Sequence, residues 1–198
     1  MIADDEAVLT QKQRMLAGLP YHTDDPELVA EFTAAHRQAR AYNLIDPGDR
    51  DAQNAALEEL LGSIGEGCEV RADVRLELGY NIHLGARVFI NFNPTLLDIA
   101  EIRIGNDTQI GPNVNLLTPT HPTDPAQRLA KWEAAKPITL GRNVWLGGNV
   151  TVLPGVSIGD DTTVGAGSVV TRSLPPRVVA VGNPARIVKV LPPNDPAD

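Results

Sequence analysis

The most regular feature of this chain is a six-residue rhythm of aliphatic side chains. Leu140, Leu146, Val152, Ile158, Val164 and Val170 stand six apart, and glycine follows four of them (Gly141, Gly147, Gly159, Gly165). The slot four residues on holds Val144, Val150, Val156, Thr162, Ser168 and Leu174, so small or β-branched residues dominate there. The same phase runs upstream through Ile104, Ile110 and Leu116. Earlier hexads begin at Ile64, Val70 and Leu76, then at Leu78, Leu84 and Ile90, with two-residue slips between blocks. An α-helix turns about 600° in six residues and would scatter these aliphatics around its circumference. A flat strand cannot extend through such a run of turn glycines. A coil with short straight sides satisfies the pattern. Each hexad forms one side of a triangular prism, the aliphatic residue points inward, and glycine supplies permissive backbone angles near the corner. Stacked turns about 4.8 Å apart are then joined by parallel ladders.

Residues 1–62 do not follow this rhythm. Asp25 suits a helix N-cap and Pro26 the first helical position, with Leu28, Phe32, Ala35, Ala39 and Tyr42 at helical spacing behind them. After the breaker "DPGDR", the stretch "DAQNAALEELLGSIG" predicts a second amphipathic helix ending at Gly62. These helices cap one end of the coil, where an open ladder would invite edge pairing. Residues 116–137 carry Pro119, Pro122, Pro125 and Pro137, a density that cannot continue a ladder, so this segment leaves the coil as an arm bearing His121. The expected organisation is a helical cap (1–62), a coil (63–191) interrupted by the arm (117–137), and a tail (192–198).

Composition agrees with an aliphatic prism: 42% of residues are hydrophobic and only 4% aromatic. The single cysteine, Cys68, excludes an internal disulfide and falls in a small-residue slot, which points to packing rather than nucleophilic chemistry. The first residues show neither an apolar signal region nor an Arg-rich transit pattern, so a cytoplasmic location is expected. No apolar run approaches the roughly 18 residues of a membrane span. A net charge of -8 argues against general binding to nucleic acid or anionic membranes. Between Thr162 and Asn194, however, there is no Asp or Glu, while Arg172, Arg177, Arg186 and Lys189 occur. An anionic ligand would be drawn to that window.

The stretches "IGNDTQIGPNV", "LGRNVWLGGNVTVLPGVSIGDDTTVGAGSVV" and "VAVGNPARIV" resemble the hexapeptide-repeat acyltransferases, whose fold is mainly β, a left-handed parallel β-helix. "GYNIHLG", "NFNPTLLD", "TPTHPTDPAQR" and "MLAGLPYHTDDPEL" are similar to the maltose and galactoside O-acetyltransferases and the related nodulation acetyltransferases, with coverage from about Gln13 to Leu191. The resemblance implies transfer of the acetyl group of acetyl-CoA to a sugar hydroxyl without a metal, in a homotrimer whose active sites lie between subunits. His121 matches the family's general base, a role suited to an imidazole that titrates near neutral pH. No acyl-enzyme is needed; the acceptor attacks directly in a ternary complex. The Gly148 N–H matches the donor to the thioester oxygen, and Asn91 the residue that contacts the acceptor hydroxyl.

The resemblance assigns the coenzyme to Trp145, Gly148, Ala166, Thr171, Arg172, Arg186 and Lys189, the cations meeting its phosphates and making the C-terminal segment of the coil coenzyme-binding. It assigns the acceptor to Asp24 or Asp25, Glu77, Asn91, Asp98 and Glu133. Helix capping is the competing reading of Asp25, and turn capping that of Asn91. The galactoside enzymes have serine where Glu77 aligns, and an acidic residue where this chain has Ile99, so the resemblance does not name the sugar. Three alternatives compete: a different acceptor such as an antibiotic, an amino sugar or an oligosaccharide; a non-catalytic scaffold; and a zinc enzyme on the same coil. Against zinc, His22 and His36 belong to the cap, and the remaining His83 and His121 lack ligand spacing.

Overall fold

A computed structural model describes residues 9–193; residues 1–8 and 194–198, the latter most of the expected tail, lie outside the described residues. The core is a parallel β-helix with three faces. Face one stacks Ser63–Ile64, Ile82–Leu84, Ile102–Ile104, Ile138–Leu140 and Ser157–Ile158. Face two stacks Glu69–Val70, Phe89–Ile90, Gln109–Ile110, Trp145–Leu146, Thr163–Val164 and Val178–Val181, and the antiparallel strand Arg186–Val190 adds to its end. Face three stacks Arg75–Leu76, Thr95–Leu97, Asn115–Leu117, Thr151–Val152 and Val169–Val170. Every hexad aliphatic from Leu140 to Val170 is at most 1% exposed, and Ile104, Ile110 and Leu116 at most 2%. Parallel pairing in register, such as Ile90↔Ile110 and Ile110↔Leu146, sets these side chains in columns.

The glycine expectation needs correction. The glycines after the inward aliphatics do not supply left-handed backbone: Gly105, Gly111, Gly141, Gly147, Gly159 and Gly165 are absent from the positive-φ residues. They are there because the next coil lies too close for a side chain. A Cβ on Gly105 would sit 2.5 Å from the carbonyl carbon and oxygen of Gly141. The left-handed position is instead three residues after the inward aliphatics of faces one and two, where Asp107, Asn113, Asn143, Asn149 and Asp161 have φ between 53° and 62°. Asn and Asp tolerate that region better than other side chains.

The corners also differ. From face one to face two, and from face two to face three, each inward residue follows the last by six, as in Ile104, Ile110, Leu116 and Leu140, Leu146, Val152. All extra length falls between face three and face one. There Leu76 is followed by Leu84, Leu96 by Ile104, and Leu116 by Leu140 after the arm. Leu78, expected to begin an inward hexad, belongs instead to this insertion and points out of the coil. With Ile99 it joins a second apolar cluster of Met15, Tyr21, Leu28 and Ala135, which fastens the N-terminal region and the arm to the three–one corner.

The cap contains α1 (Gln11–Leu16), α2 (Pro26–Asn43) and α3 (Arg50–Leu60). Asp25 caps α2 by accepting from the Glu27 and Leu28 amides, with Pro26 at the first position. The third helix stops at Leu60, two residues before the expected Gly62, and a Cβ on Gly62 would fall 2.1 Å from the Tyr80 carbonyl oxygen. Ala35, Ala39, Tyr42, Leu57, Leu60 and Leu61 close the core at the first coil. The Tyr42 hydroxyl donates to the Val70 carbonyl, and Asn43 bridges the Val74 amide and carbonyl at 3.0 and 2.9 Å. Burial pushes the Tyr42 phenol up to about 12.

Candidate functional site

The arm is itself ordered. Pro119–Thr120 and Trp132–Ala135 pair antiparallel, joined through the short helix α4 (Pro125–Leu129), whose N-cap Asp124 accepts from the Gln127 amide at 2.8 Å. Strand Tyr21–His22 adds to the other edge of Trp132–Ala135, pairing Tyr21 with Glu133 and His22 with Trp132. The His22 and Trp132 rings lie 3.8 Å apart between centroids, and the Arg14 guanidinium stands 6.0 Å from the Trp132 ring. Lys131 Nζ bonds Asp24 at 3.0 Å and holds that carboxyl below its ordinary range. The N-terminal segment is therefore part of the arm's foundation.

His121 projects from this small sheet with 60% of its side chain exposed. Its Nε2 lies 3.6 Å from a carboxylate oxygen of Glu133, a residue only 9% exposed. The other Glu133 oxygen accepts from the Tyr21 hydroxyl. Burial, then the bond to Glu133, raises the Tyr21 phenol well above its ordinary range, so it remains an O–H donor. His121 and Glu133 line a cavity of about 430 Å³ with Arg14, Thr120, Gln127 and Trp132.

A second cavity, of about 400 Å³, lies along face two and the two–three corner. It brings together four residues singled out in the sequence: Asn91, Trp145, Gly148 and Ala166. Trp145 is 57% exposed in the outward row between Gln109 and Thr163. Among the described residues, the N–H groups of Gly148 and Ala166 donate to no protein acceptor. A Cβ on Gly111 would sit 2.6 Å from the Gly148 nitrogen, so the glycine of the preceding turn leaves room beside that amide, while Asn91 accepts from the Phe92 amide at 2.9 Å and keeps its own NH₂ available. Unpaired amides at the edge of an apolar groove are ready donors to a carbonyl or to amide groups of a ligand.

The remaining sequence-predicted residues are dispersed. Asp98 is fully buried, and its carboxylate accepts from the amides of Leu78 (2.9 Å), Glu77 (3.0 Å) and Asn81 (3.3 Å), which fix the three–one insertion. Glu77 is half-buried, 3.5 Å from His36 Nε2, and burial raises its carboxyl. Thr171, Arg172, Arg186 and Lys189 are exposed near the C-terminal end of the coil. The turn before Arg186 is tied to face three by bonds from the Val169 amide to the Gly182 carbonyl and from the Ala185 amide to the Val169 carbonyl. Cys68 packs against the core, as its slot suggests. No helix among the described residues is long and apolar enough to cross a membrane.

Comparison with known proteins places this geometry. Residues 14–65 match the maltose acetyltransferase hexapeptide capping motif, and residues 137–172 match the bacterial transferase hexapeptide of six repeats. Nodulation protein L of Rhizobium meliloti (strain 1021) is 43% identical, over 90% of this chain and 97% of its own. A maltose O-acetyltransferase structure from Clostridium difficile 630 superposes with a TM-score of 0.91 at 38% identity, covering 93% of this chain and 98% of that one. A galactoside acetyltransferase in complex with coenzyme A superposes with a TM-score of 0.89 at 33% identity, covering 93% and 92%.

Proposed function

Because the chain belongs to the hexapeptide-repeat acetyltransferase family that includes the maltose and galactoside enzymes, we propose that it moves the acetyl group of acetyl-CoA to a sugar hydroxyl. The observation that carries this reading is the division of chemistry between two corners: an exposed imidazole backed by a buried carboxylate on one, a groove with unpaired amides on another. The groove takes the pantetheine arm and thioester. Ala166 and Thr171 border it, Trp145 covers its wall, and Arg172, Arg186 and Lys189 meet the phosphates. The acceptor oxygen attacks the thioester carbon as His121 takes its proton. Negative charge developing on the carbonyl oxygen is met by the Gly148 N–H. The C–S bond then breaks, and His121 returns the proton to the departing thiolate. Asn91 orients the acceptor hydroxyl, and Glu133 lies behind His121, where its charge favours the imidazolium. Glu77 and Asp24 are the acidic groups left to meet further sugar hydroxyls; Asp25 and Asp98 serve the fold.

The arm is rooted at the three–one corner and the groove lies at the two–three corner, with face three between them. In this reading a homotrimer completes each site by setting one copy's arm against its neighbour's groove. The test follows thiol release from acetyl-CoA across glucosides, galactosides, chito-oligosaccharides and chloramphenicol. One sugar class is expected to support turnover, and His121→Ala to reduce it about 10²- to 10⁴-fold. Undiminished turnover in His121→Ala removes the base. Co-expressing His121→Ala with Asn91→Ala is expected to restore part of the activity that each variant lacks alone, since mixed trimers regain some intact sites. No recovery would place both residues in a site built by one chain.

A further inference from the structure

We propose that Tyr21 is a positioning residue for acetyl transfer: its phenol O–H fixes the Glu133 carboxylate behind His121. This rests on the reading of His121 as the base. The Glu133 carboxyl is nearly buried and divides its oxygens, one toward His121 Nε2 at 3.6 Å and the other on the Tyr21 hydroxyl. A carboxylate in such surroundings is costly unless hydrogen-bonded, and it also swings about its side-chain torsions unless something holds it. Tyr21 answers both needs. Its ring is fully buried in the cluster of Met15, Leu28, Leu78, Ile99 and Ala135, so the hydroxyl cannot follow a wandering partner. Its backbone pairs directly opposite Glu133, which sets the height of the hydroxyl along the strand.

A phenol suits this position better than a cation would. It satisfies the carboxylate without neutralising it, leaving the negative charge available to the imidazole. The cap thus has a second task beyond closing the first coil, since a residue at its N-terminal end supports the side chain behind the base. The other charged groups around this pair are Arg14 of α1, Glu77 beside the first insertion, His22 stacked on Trp132, and the Asp24–Lys131 pair. None of them is altered by the test.

In the intact enzyme, Tyr21→Phe keeps the ring and removes the donor. Turnover is expected to fall about tenfold to a hundredfold, the usual loss when an outer partner of a functional histidine is removed. KM for both substrates stays within about twofold, and the acid limb of the kcat/KM profile moves to lower pH, because a displaced or protonated Glu133 supports the imidazolium less. Glu133→Gln is expected to move that limb the same way. The double variant should lose little beyond the worse single variant, as for groups acting through one another. A Tyr21→Phe enzyme with the parent's kcat and pH profile overturns the proposal, as does one whose only change is a lower melting temperature. A crystal structure of Tyr21→Phe separates this outcome from failure of the catalytic reading: the Glu133 carboxylate leaves its place beside His121 if Tyr21 holds it as described, whether or not His121→Ala abolishes turnover.

Discussion

The coil from Ile138 to Val170 and the arm from residue 118 to residue 137 are adjacent in sequence and made on opposite principles. The coil repeats: every inward residue is buried, and each strand pairs in register with the same kind of strand one turn away. Any one contact there is replaceable in kind, so stability is a sum over similar interfaces. The arm has no repeat. It depends on a few singular contacts, among them Tyr21 with Glu133, Lys131 with Asp24, and Thr120 with the Ala134 carbonyl. Regularity supplies a rigid scaffold, and the break in regularity supplies an exposed imidazole with a chosen neighbour.

That contrast can be broken most severely at Asp98, where the two regions join. Asp98→Ala leaves the amides of Glu77, Leu78 and Asn81 without their acceptor, at a cost of about 4 kcal/mol. Thermal unfolding should begin about 10 °C lower for a chain of this size. A change below about 1 kcal/mol would mean that water replaces the carboxylate. Within the coil, Gly105→Ala drives a Cβ into the Gly141 backbone and is expected to cost about 1–3 kcal/mol. Turnover measured below the transition should stay at the parent's level, because residue 105 lies on the one–two corner. Gly167→Asn is the milder counterpart: its site has positive φ but open space, so it carries the left-handed strain without the clash and should shift the midpoint less than Gly105→Ala.

The smallest effect belongs to Glu77. Burial raises its carboxyl in the folded state, so the native form holds that proton more tightly than the unfolded chain does. Stability from this group is therefore complete below the ordinary carboxylate range and declines as pH rises through the raised value. Glu77→Gln should melt slightly above the parent at neutral pH and level with it near pH 4, as read from melting curves across that interval. A parent that melts level with the variant at neutral pH but below it in acid reverses the sign and removes the argument.

Much of the coil is legible in the sequence because a period of six has few structural solutions. The columns from Leu140 to Val170, the outward Trp145 and the Asp25 cap all come from spacing alone. Two features mislead for one reason, that a one-dimensional pattern does not distinguish the causes of a residue's size or polarity. Glycine after each aliphatic reads as a backbone requirement, whereas the neighbouring coil imposes it. The real left-handed slot is visible as recurring Asn and Asp in "GND", "GPN" and "GRN". Leu78 reads as core because it is aliphatic and near the phase, yet it packs outward under the cap. Tyr21 carries no signal. Its partner is 112 residues away, and neither belongs to a repeat.

The confinement of every insertion to one edge of the prism has a consequence for growth. Two edges remain flush from bottom to top, so lengthening them by even one residue would throw all later turns out of line. The third tolerates insertions as short as a dipeptide or as long as the arm without disturbing the turns stacked beyond it. A protein built this way can change what it acts on by rewriting a single margin, while the rest of the molecule keeps count.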